Sequence, residues 1–144
     1  MTGTLPVPRF ELFPHDADVG VRGIGGTREE AFEQAALALT AVVVDPARVE
    51  PRFAIEIECS AASDELLLVE WLDALVFELA TRGRVFSRIE VHLDGTTLRA
   101  TVRGEELDAA RHEPAVEPKG ATMTELRVAR DDDGTWLAQC VVDV

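Results

Sequence analysis

The chain has 144 residues, 27 of them acidic and 14 basic, which gives a formal net charge of −13 at pH 7. Because affinity for nucleic acid rises with the number of phosphates that Lys and Arg neutralise, this composition argues against direct nucleic-acid binding and favours a protein partner. No apolar stretch reaches the roughly 20 residues of a transmembrane helix, no secretory signal is evident, and two distant cysteines, Cys59 and Cys140, suit a reducing cytoplasm.

The hydrophobic pattern predicts one α+β domain over residues 1–144, with two helices packed against mostly antiparallel sheets. Short strands are expected at 10–13 and 19–24, where glycines indicate a bend or a bulge. A third strand is expected at 53–60, because apolar and polar residues alternate there. Its apolar face consists of Phe53, Ile55, Ile57 and Cys59.

The two helices are predicted from their ends. Thr27 and Glu30 form a capping-box sequence, and that helix should run to about Val44. Ser63 caps the second helix, which Gly83 ends. Apolar residues cover most of the circumference of the second helix, so it is predicted to be a buried central layer. Its narrow polar stripe consists of Glu70, Asp73 and Glu78.

The C-terminal half is predicted to be mainly β-structure. A hairpin is expected over 84–107, with Asp94-Gly95 as the turn dipeptide. A polar loop over 104–114 follows. The last strand should pair antiparallel with the run before it through the turn "DDDG" at 131–134, which lacks the spacing and the bidentate Glu of an EF-hand.

Catalytic motifs are absent from the sequence. There is no G-x-S-x-G, neither cysteine has a histidine nearby, and "GVRGIGG" fits neither a dinucleotide-binding nor a P-loop motif. A glycosidase-type carboxylate pair is neither favoured nor excluded. His92 and His112 stand alone, without ligand spacing, and are expected to be surface or hydrogen-bonded residues.

Divalent-metal binding has better support, because Ca²⁺ and Mg²⁺ prefer oxygen ligands. Asp18 and Asp143 both lie at the ends of predicted strands, where a rigid frame can hold a carboxylate. His15 could add a ligand or orient one. The alternative for Asp18 is a turn residue without a ligand.

Taken together, the motifs resemble the archease family over nearly the whole chain, from about Phe10 to Val144. Each motif is weak alone, but their order and spacing are specific. They are "HDADVG" (15–20), "GGTREEAFEQAALAL" (25–39), "LLLVEWLDALVFELATRGRVFSRIEV" (66–91), "LRATVRGEELDAARHEPAVEPKGAT" (98–122) and the terminal "CVVDV" (140–144).

The resemblance implies an archease-like sandwich and a non-catalytic function. Archeases are cofactor proteins of the RtcB-type RNA ligase of tRNA splicing and RNA repair. They promote guanylylation and multiple turnover of the ligase and bind a divalent ion, expected here to be Ca²⁺, with Mg²⁺ or Mn²⁺ as alternatives. An adaptor or chaperone for tRNA-modifying enzymes and an unrecognised metal-dependent hydrolase are the alternative functions.

The resemblance also implies the ligands. The family's metal site corresponds to Asp18, Asp143 and the oxygens of Val144, with His15 and Asp16 as possible outer partners. Asp16 stands where the family usually has Thr.

A second departure lies further along the chain. Thr124 stands where the family often has His, whereas Lys119 and Thr122 match. The segment 111–113, Arg-His-Glu, is expected to be mainly a structured loop and only secondarily a contact.

Overall fold

The computed structural model describes residues 7–144, whose strands form two antiparallel sheets. The strands are β1 (Arg9–His15), β2 (Asp18–Gly25), β3 (Phe53–Ser60), β4 (Arg84–Asp94), β5 (Thr97–Glu106), β6 (Gly120–Ala121), β7 (Arg127–Arg130) and β8 (Trp136–Asp143). The larger sheet has the order β1-β2-β8-β6, and β7 also pairs with β8. The smaller sheet has the order β3-β5-β4.

Both long helices begin and end where their capping residues predict. They are α1 (Arg28–Val43) and α2 (Asp64–Arg82), and a short α3 (Ala109–His112) follows β5. The Thr27 side chain accepts a hydrogen bond from the backbone N–H of Glu30, and Ser63 does the same for Leu66. The Glu30 carboxylate accepts from Gly26, one residue before the position that a capping box would use. Gly83 ends α2 in the left-handed conformation.

Helix α2 lies between the two sheets and contacts strands of both, as its apolar circumference predicted. Helix α1 packs on β1, β2 and β8 and also along β4. Trp71 of α2 is fully buried, and its indole N–H donates to the carbonyl of Phe32 in α1 over 3.0 Å. The predicted α+β class, with a buried second helix, is therefore confirmed.

Two positions of α2 differ from the predicted pattern. Phe77 is 52% exposed, whereas Glu78, assigned to the polar stripe, is only 8% exposed. Burial of Glu78 is tolerated because its carboxylate pairs with Arg84 at 3.1 Å and with Arg82 at 3.4 Å. The solvent-facing part of α2 therefore carries an aromatic ring.

The β4–β5 hairpin is confirmed, but its turn lies one residue further on. Asp94 pairs with Thr97, so the two central residues are Gly95 and Thr96, and only Gly95 has a positive φ, of 59°. This is the pattern of a type II′ turn. The predicted polar loop over 104–114 is wrong in part, because β5 continues to Glu106 and α3 follows.

The register of β2 with β1 and with β8 is unbroken, so the glycines of β2 do not mark the predicted bulge. The other predictions on strand pairing and cysteines agree with the structure. β7 and β8 pair antiparallel, joined through 131–134. Cys59 and Cys140 are free thiols, and burial raises the pKa of Cys140 to about 12. Among the helices of residues 7–144, none combines the length and apolarity needed to cross a bilayer.

Candidate metal centre

One end of the larger sheet brings the predicted ligands together. His15 pairs with Asp18 across β1 and β2, and Val19 pairs with Val142 across β2 and β8. Asp143 is the next residue of β8, so the register puts Asp18 and Asp143 opposite each other on neighbouring strands. Opposite residues of an antiparallel pair point to the same face, with Cβ atoms roughly 4.5–5.5 Å apart.

The C-terminal residue closes this end of the sheet. The backbone N–H of Val144 donates to Oδ1 of Asp18 over 3.2 Å. The Val144 side chain packs against the hydrophobic core, which fixes the main chain beside Asp18. Asp18 is half-buried and Asp143 is exposed. The main chain of Val144 is thereby held beside the Asp18 carboxylate, directly after Asp143.

The other side of Asp143 is held by β6. The N–H of Lys119 donates to the Asp143 carbonyl over 2.7 Å, and Gly120 pairs with Asp143. Asp73 of α2 in turn accepts from the N–H of Ala121 over 2.8 Å. These bonds occupy the backbone of Asp143, so its side chain is the part that remains available to a ligand.

The donors at this strand end suit a hard divalent ion, because they are carboxylate and backbone oxygens. Within residues 7–144, no three His, Cys, Asp or Glu side chains lie close enough to hold a metal by themselves. Two side-chain carboxylates therefore need further donors, and the oxygens of Val144, whose N–H is bonded to Asp18, are one source.

Of the two predicted outer partners, His15 ends β1 and Asp16 lies in the β1–β2 turn. Asp16 has a positive φ of 53°, and its carboxylate is 3.9 Å from Nδ1 of His15. Asp16 is 94% exposed and His15 is 34% exposed at the side chain. Their assistance to a metal remains a prediction.

Thr124 acts through its backbone. Its carbonyl accepts from the N–H of Val141 over 2.9 Å, and its own N–H donates to the hydroxyl of Thr122. The Thr122 hydroxyl also donates to the Val141 carbonyl over 2.8 Å. This segment therefore covers β8 two residues before Asp143.

The acidic run 131–134 is a hairpin turn, as predicted. The N–H of Asp131 donates to the Thr135 carbonyl, and the carboxylate of Asp133 accepts from the N–H of Thr135 over 3.0 Å. Hydrogen bonds from the backbone N–H of Thr135, foremost, and from its side chain lower the pKa of Asp133. The carboxylate thus has a partner within its own turn.

Sequence reasoning missed a buried charged cluster around Glu105. The Glu105 side chain is 3% exposed and accepts from Arg111, His112 and the N–H of Glu50. The pKa of Glu105 is lowered to about 2, mainly by the hydrogen bonds that its carboxylate accepts from the Arg111 guanidinium. Nδ1 of His112 accepts from the N–H of Asp108, so Nε2 carries the proton and donates to Glu105.

The cluster around Glu105 lies where β5 passes into α3, at the smaller sheet and not at the strand end of the larger one. His112 is 2% exposed, which agrees with the prediction of a hydrogen-bonded residue, while His92 is exposed beside Glu90. The segment 111–113 is structured, as expected. Asp108 caps α3, because its side chain accepts hydrogen bonds from the first N–H groups of the helix. An aspartate at this position was the only sequence signal that could have indicated this short helix.

Two antiparallel sheets around a central helix, with an oxygen-rich centre at one strand end, define a small α+β sandwich protein. Comparison with known proteins identifies its relatives. The model of the Archease protein family (MTH1598/TM1083) matches residues 10–144. The chain belongs to the archease family.

Individual relatives agree over nearly their whole length. The chain is 41% identical to Protein archease of Thermococcus gammatolerans over 140 residues, which cover 94% of this chain and 99% of that protein. It is 39% identical to Protein archease of Pyrococcus furiosus, with the same coverage. The solution structure of Methanobacterium thermoautotrophicum protein 1598 superposes with a TM-score of 0.74 at 29% identity and covers 94% of this chain and 98% of that one.

Proposed function

We propose that this protein is a non-catalytic activator of an RtcB-type RNA ligase in tRNA splicing and RNA repair. It promotes guanylylation of the ligase and its multiple turnover through a bound divalent ion. The ion is Ca²⁺, Mg²⁺ or Mn²⁺, the ligase is the direct partner, and the site of action is the cytoplasm. Membership in the archease family supports the class of function, and the strand-end geometry supports the mechanism.

One observation carries the proposal: Oδ1 of Asp18 accepts from Val144, while Asp143 faces Asp18 from the neighbouring strand. Two carboxylates at facing strand positions repel each other, and a bound divalent ion would offset that repulsion. Asp18, Asp143 and the Val144 oxygens would hold the ion. The ion supplies positive charge that neutralises nucleotide phosphates.

Residues of this chain would bind the ion and hold its ligands in place. The Val144 N–H fixes one oxygen of Asp18, and the N–H of Lys119 fixes the backbone of Asp143. Asp143 is exposed, so a ligand held there stays accessible to a second protein. Since few donors come from this chain, the ligase is expected to complete the coordination.

The charge of the chain supports a protein partner. A net charge of −13 repels RNA, whereas an RNA ligase must present a positive surface to its substrate. Complementary charge raises the rate at which two such proteins meet. The protein is therefore expected to reach the reaction through the ligase and not through RNA.

The testing experiment is a guanylylation assay of the cognate ligase with and without this protein, across a titration of Ca²⁺, Mg²⁺ and Mn²⁺. The proposal predicts stimulation that depends on metal and that is lost in Asp18→Asn and Asp143→Asn. Stimulation that survives both substitutions would instead indicate an adaptor or chaperone. Hydrolysis of a phosphoester by the protein alone would indicate an enzyme.

A further inference from the structure

The two edges of the smaller sheet differ in how they are covered. At the β4 edge, α1 packs alongside, and the Glu33 carboxylate accepts the N–H of Val91 over 2.8 Å. β3 forms the other edge. A strand edge with unpaired backbone groups is a template for another strand.

The hydrogen-bond register shows which backbone groups of β3 face outward. The N–H of Ala61 donates to the Thr96 carbonyl, and the backbone direction alternates along an antiparallel strand. The N–H and C=O groups of Ala54, Glu56 and Glu58 therefore point away from β5. Within residues 7–144, none of these outward groups has a hydrogen-bond partner outside its strand.

A groove of about 380 Å³ runs between this edge and α2. Its apolar lining comes from Ile55 and Ile57 of β3 and from Ala74 and Phe77 of α2. Its charged lining is Glu78 with its two partners, Arg82 and Arg84, and the Arg82 guanidinium lies 5.9 Å from the centre of the Phe77 ring. Phe77 is 52% exposed although it lies on the most apolar helix of the protein. A strand added beside β3 would direct alternate side chains onto this ring.

The charges beside the edge favour one kind of occupant. Glu56 and Glu58 point to the solvent side of β3 and are exposed. Glu56 accepts a hydrogen bond from the Thr101 hydroxyl, and Glu58 pairs with Arg99 at 3.6 Å, an exposed ion pair that contributes little energy. A second copy pairing antiparallel through β3 would set these glutamates against each other, and each copy carries a net charge of −13. Directly opposed like charges destabilise a strand pair, whereas opposite charges stabilise it.

We propose that the β3 edge and the β3–α2 groove bind an extended segment of a partner protein by strand addition, with apolar residues facing Phe77 and basic residues alternating beside Glu56 and Glu58. Backbone hydrogen bonds provide affinity in this mode, and the alternate side chains provide specificity. The inference is independent of the metal centre, which lies at an end of the other sheet.

The test is a titration of the ¹⁵N-labelled protein with a blocked heptapeptide of alternating lysine and valine, followed by NMR. Saturable shifts confined to β3 and to Ala74–Glu78 are expected. The same peptide N-methylated on alternate amides should bind at least about tenfold more weakly. Equal binding of the methylated peptide, or shifts spread over the acidic surface, would overturn strand addition.

Substitutions can distinguish specific binding at the β3 edge from general attraction between opposite charges. The double variant Glu56→Lys/Glu58→Lys should lose at least about tenfold in affinity for the lysine peptide and gain affinity for its glutamate counterpart. The matched control is Glu90→Lys, on the solvent face of the covered β4 edge, which should leave binding unchanged. An equal loss in Glu90→Lys would contradict the proposal. All three glutamates are exposed, so folding should be retained.

Discussion

Asp18 and Val144 are 126 positions apart in sequence, yet the Val144 N–H donates to the Asp18 carboxylate over 3.2 Å. This bond joins the start of β2 to the residue that follows β8. It fixes one oxygen of Asp18, and Asp143 lies opposite Asp18 on the neighbouring strand. The candidate centre thus depends on contact between the two ends of the fold.

Replacement of either acid is expected to weaken metal binding without unfolding the protein. Loss of an outer partner of a metal ligand typically lowers affinity about 10–100-fold. Asp143 is proposed as a direct ligand, so Asp143→Asn should lower the affinity for Ca²⁺ at least about tenfold. Asp143 is exposed, so the free energy of unfolding should change by no more than about 0.5 kcal/mol. Calorimetric titration and urea denaturation measure the two quantities.

The matched control for these variants is Asp133→Asn. Asp133 is an exposed acid whose carboxylate already accepts a hydrogen bond within its turn. Its replacement removes the same charge from the protein but should leave Ca²⁺ affinity unchanged. Equal losses in Asp133→Asn and Asp143→Asn would mean that net charge, and not a specific centre, determines binding.

Trp71→Ala, in contrast to the metal-site variants, should cause a large loss in free energy of unfolding. Trp71 is fully buried between α1 and the sheets, and its truncation creates a cavity that costs about 3–5 kcal/mol. Trp71→Phe should cost less, because it removes mainly the 3.0 Å hydrogen bond to Phe32. Urea denaturation of both variants checks the order. Metal affinity of Trp71→Phe should match the wild type if the fold persists.

The Glu105 cluster should make stability depend on pH in the acid range. The folded-state pKa of Glu105 is lowered from 4.5 to about 2, chiefly by the Arg111 guanidinium. A lowered carboxyl pKa contributes stability that is present above the unfolded-state value and is lost as pH falls toward the folded-state value. The difference in urea midpoint between wild type and Glu105→Gln should therefore shrink from pH 4.5 to 2. A difference that stays constant over this range would refute the assignment.

Gly23 should tolerate no side chain. A methyl group there would lie 2.0 Å from the carbonyl oxygen of Ala31 and 2.3 Å from the backbone nitrogen of Ala35, so α1 would have to move off β2. We expect Gly23→Ala to cost about 3 kcal/mol or more in free energy of unfolding. Gly95→Ala meets open space and strains only the turn, so it should cost about 1 kcal/mol. A smaller loss in Gly23→Ala than in Gly95→Ala would contradict the close approach.

Local signals made much of the fold predictable. Thr27 and Ser63 accept the capping hydrogen bonds that their positions predict, and Gly83 has the left-handed conformation that ends α2. Residues 53–60, in which apolar and polar side chains alternate, form β3 with the expected alternating burial. These features depend on interactions within a few residues of sequence, so one sequence suffices to find them.

Features that depend on distant partners were not predictable. β6 has only two residues and exists because Asp143 and Asp73 accept from the backbone of its segment. Glu78 is buried because Arg84 neutralises it, a contact that helical periodicity does not contain. For the site, the motifs supplied Asp18 and Asp143, whereas the bond from Val144 became visible only when both strand ends were placed side by side.

The most direct measurement is a titration of the ¹⁵N-labelled protein with Mn²⁺, which broadens the NMR signals of nearby amides. The central claim predicts that substoichiometric Mn²⁺ first broadens the amides of Asp18, Asp143 and Val144, and that excess Ca²⁺ reverses this. Broadening that begins instead at 131–133, or that spreads evenly over the acidic surface, would contradict a metal centre at the strand end.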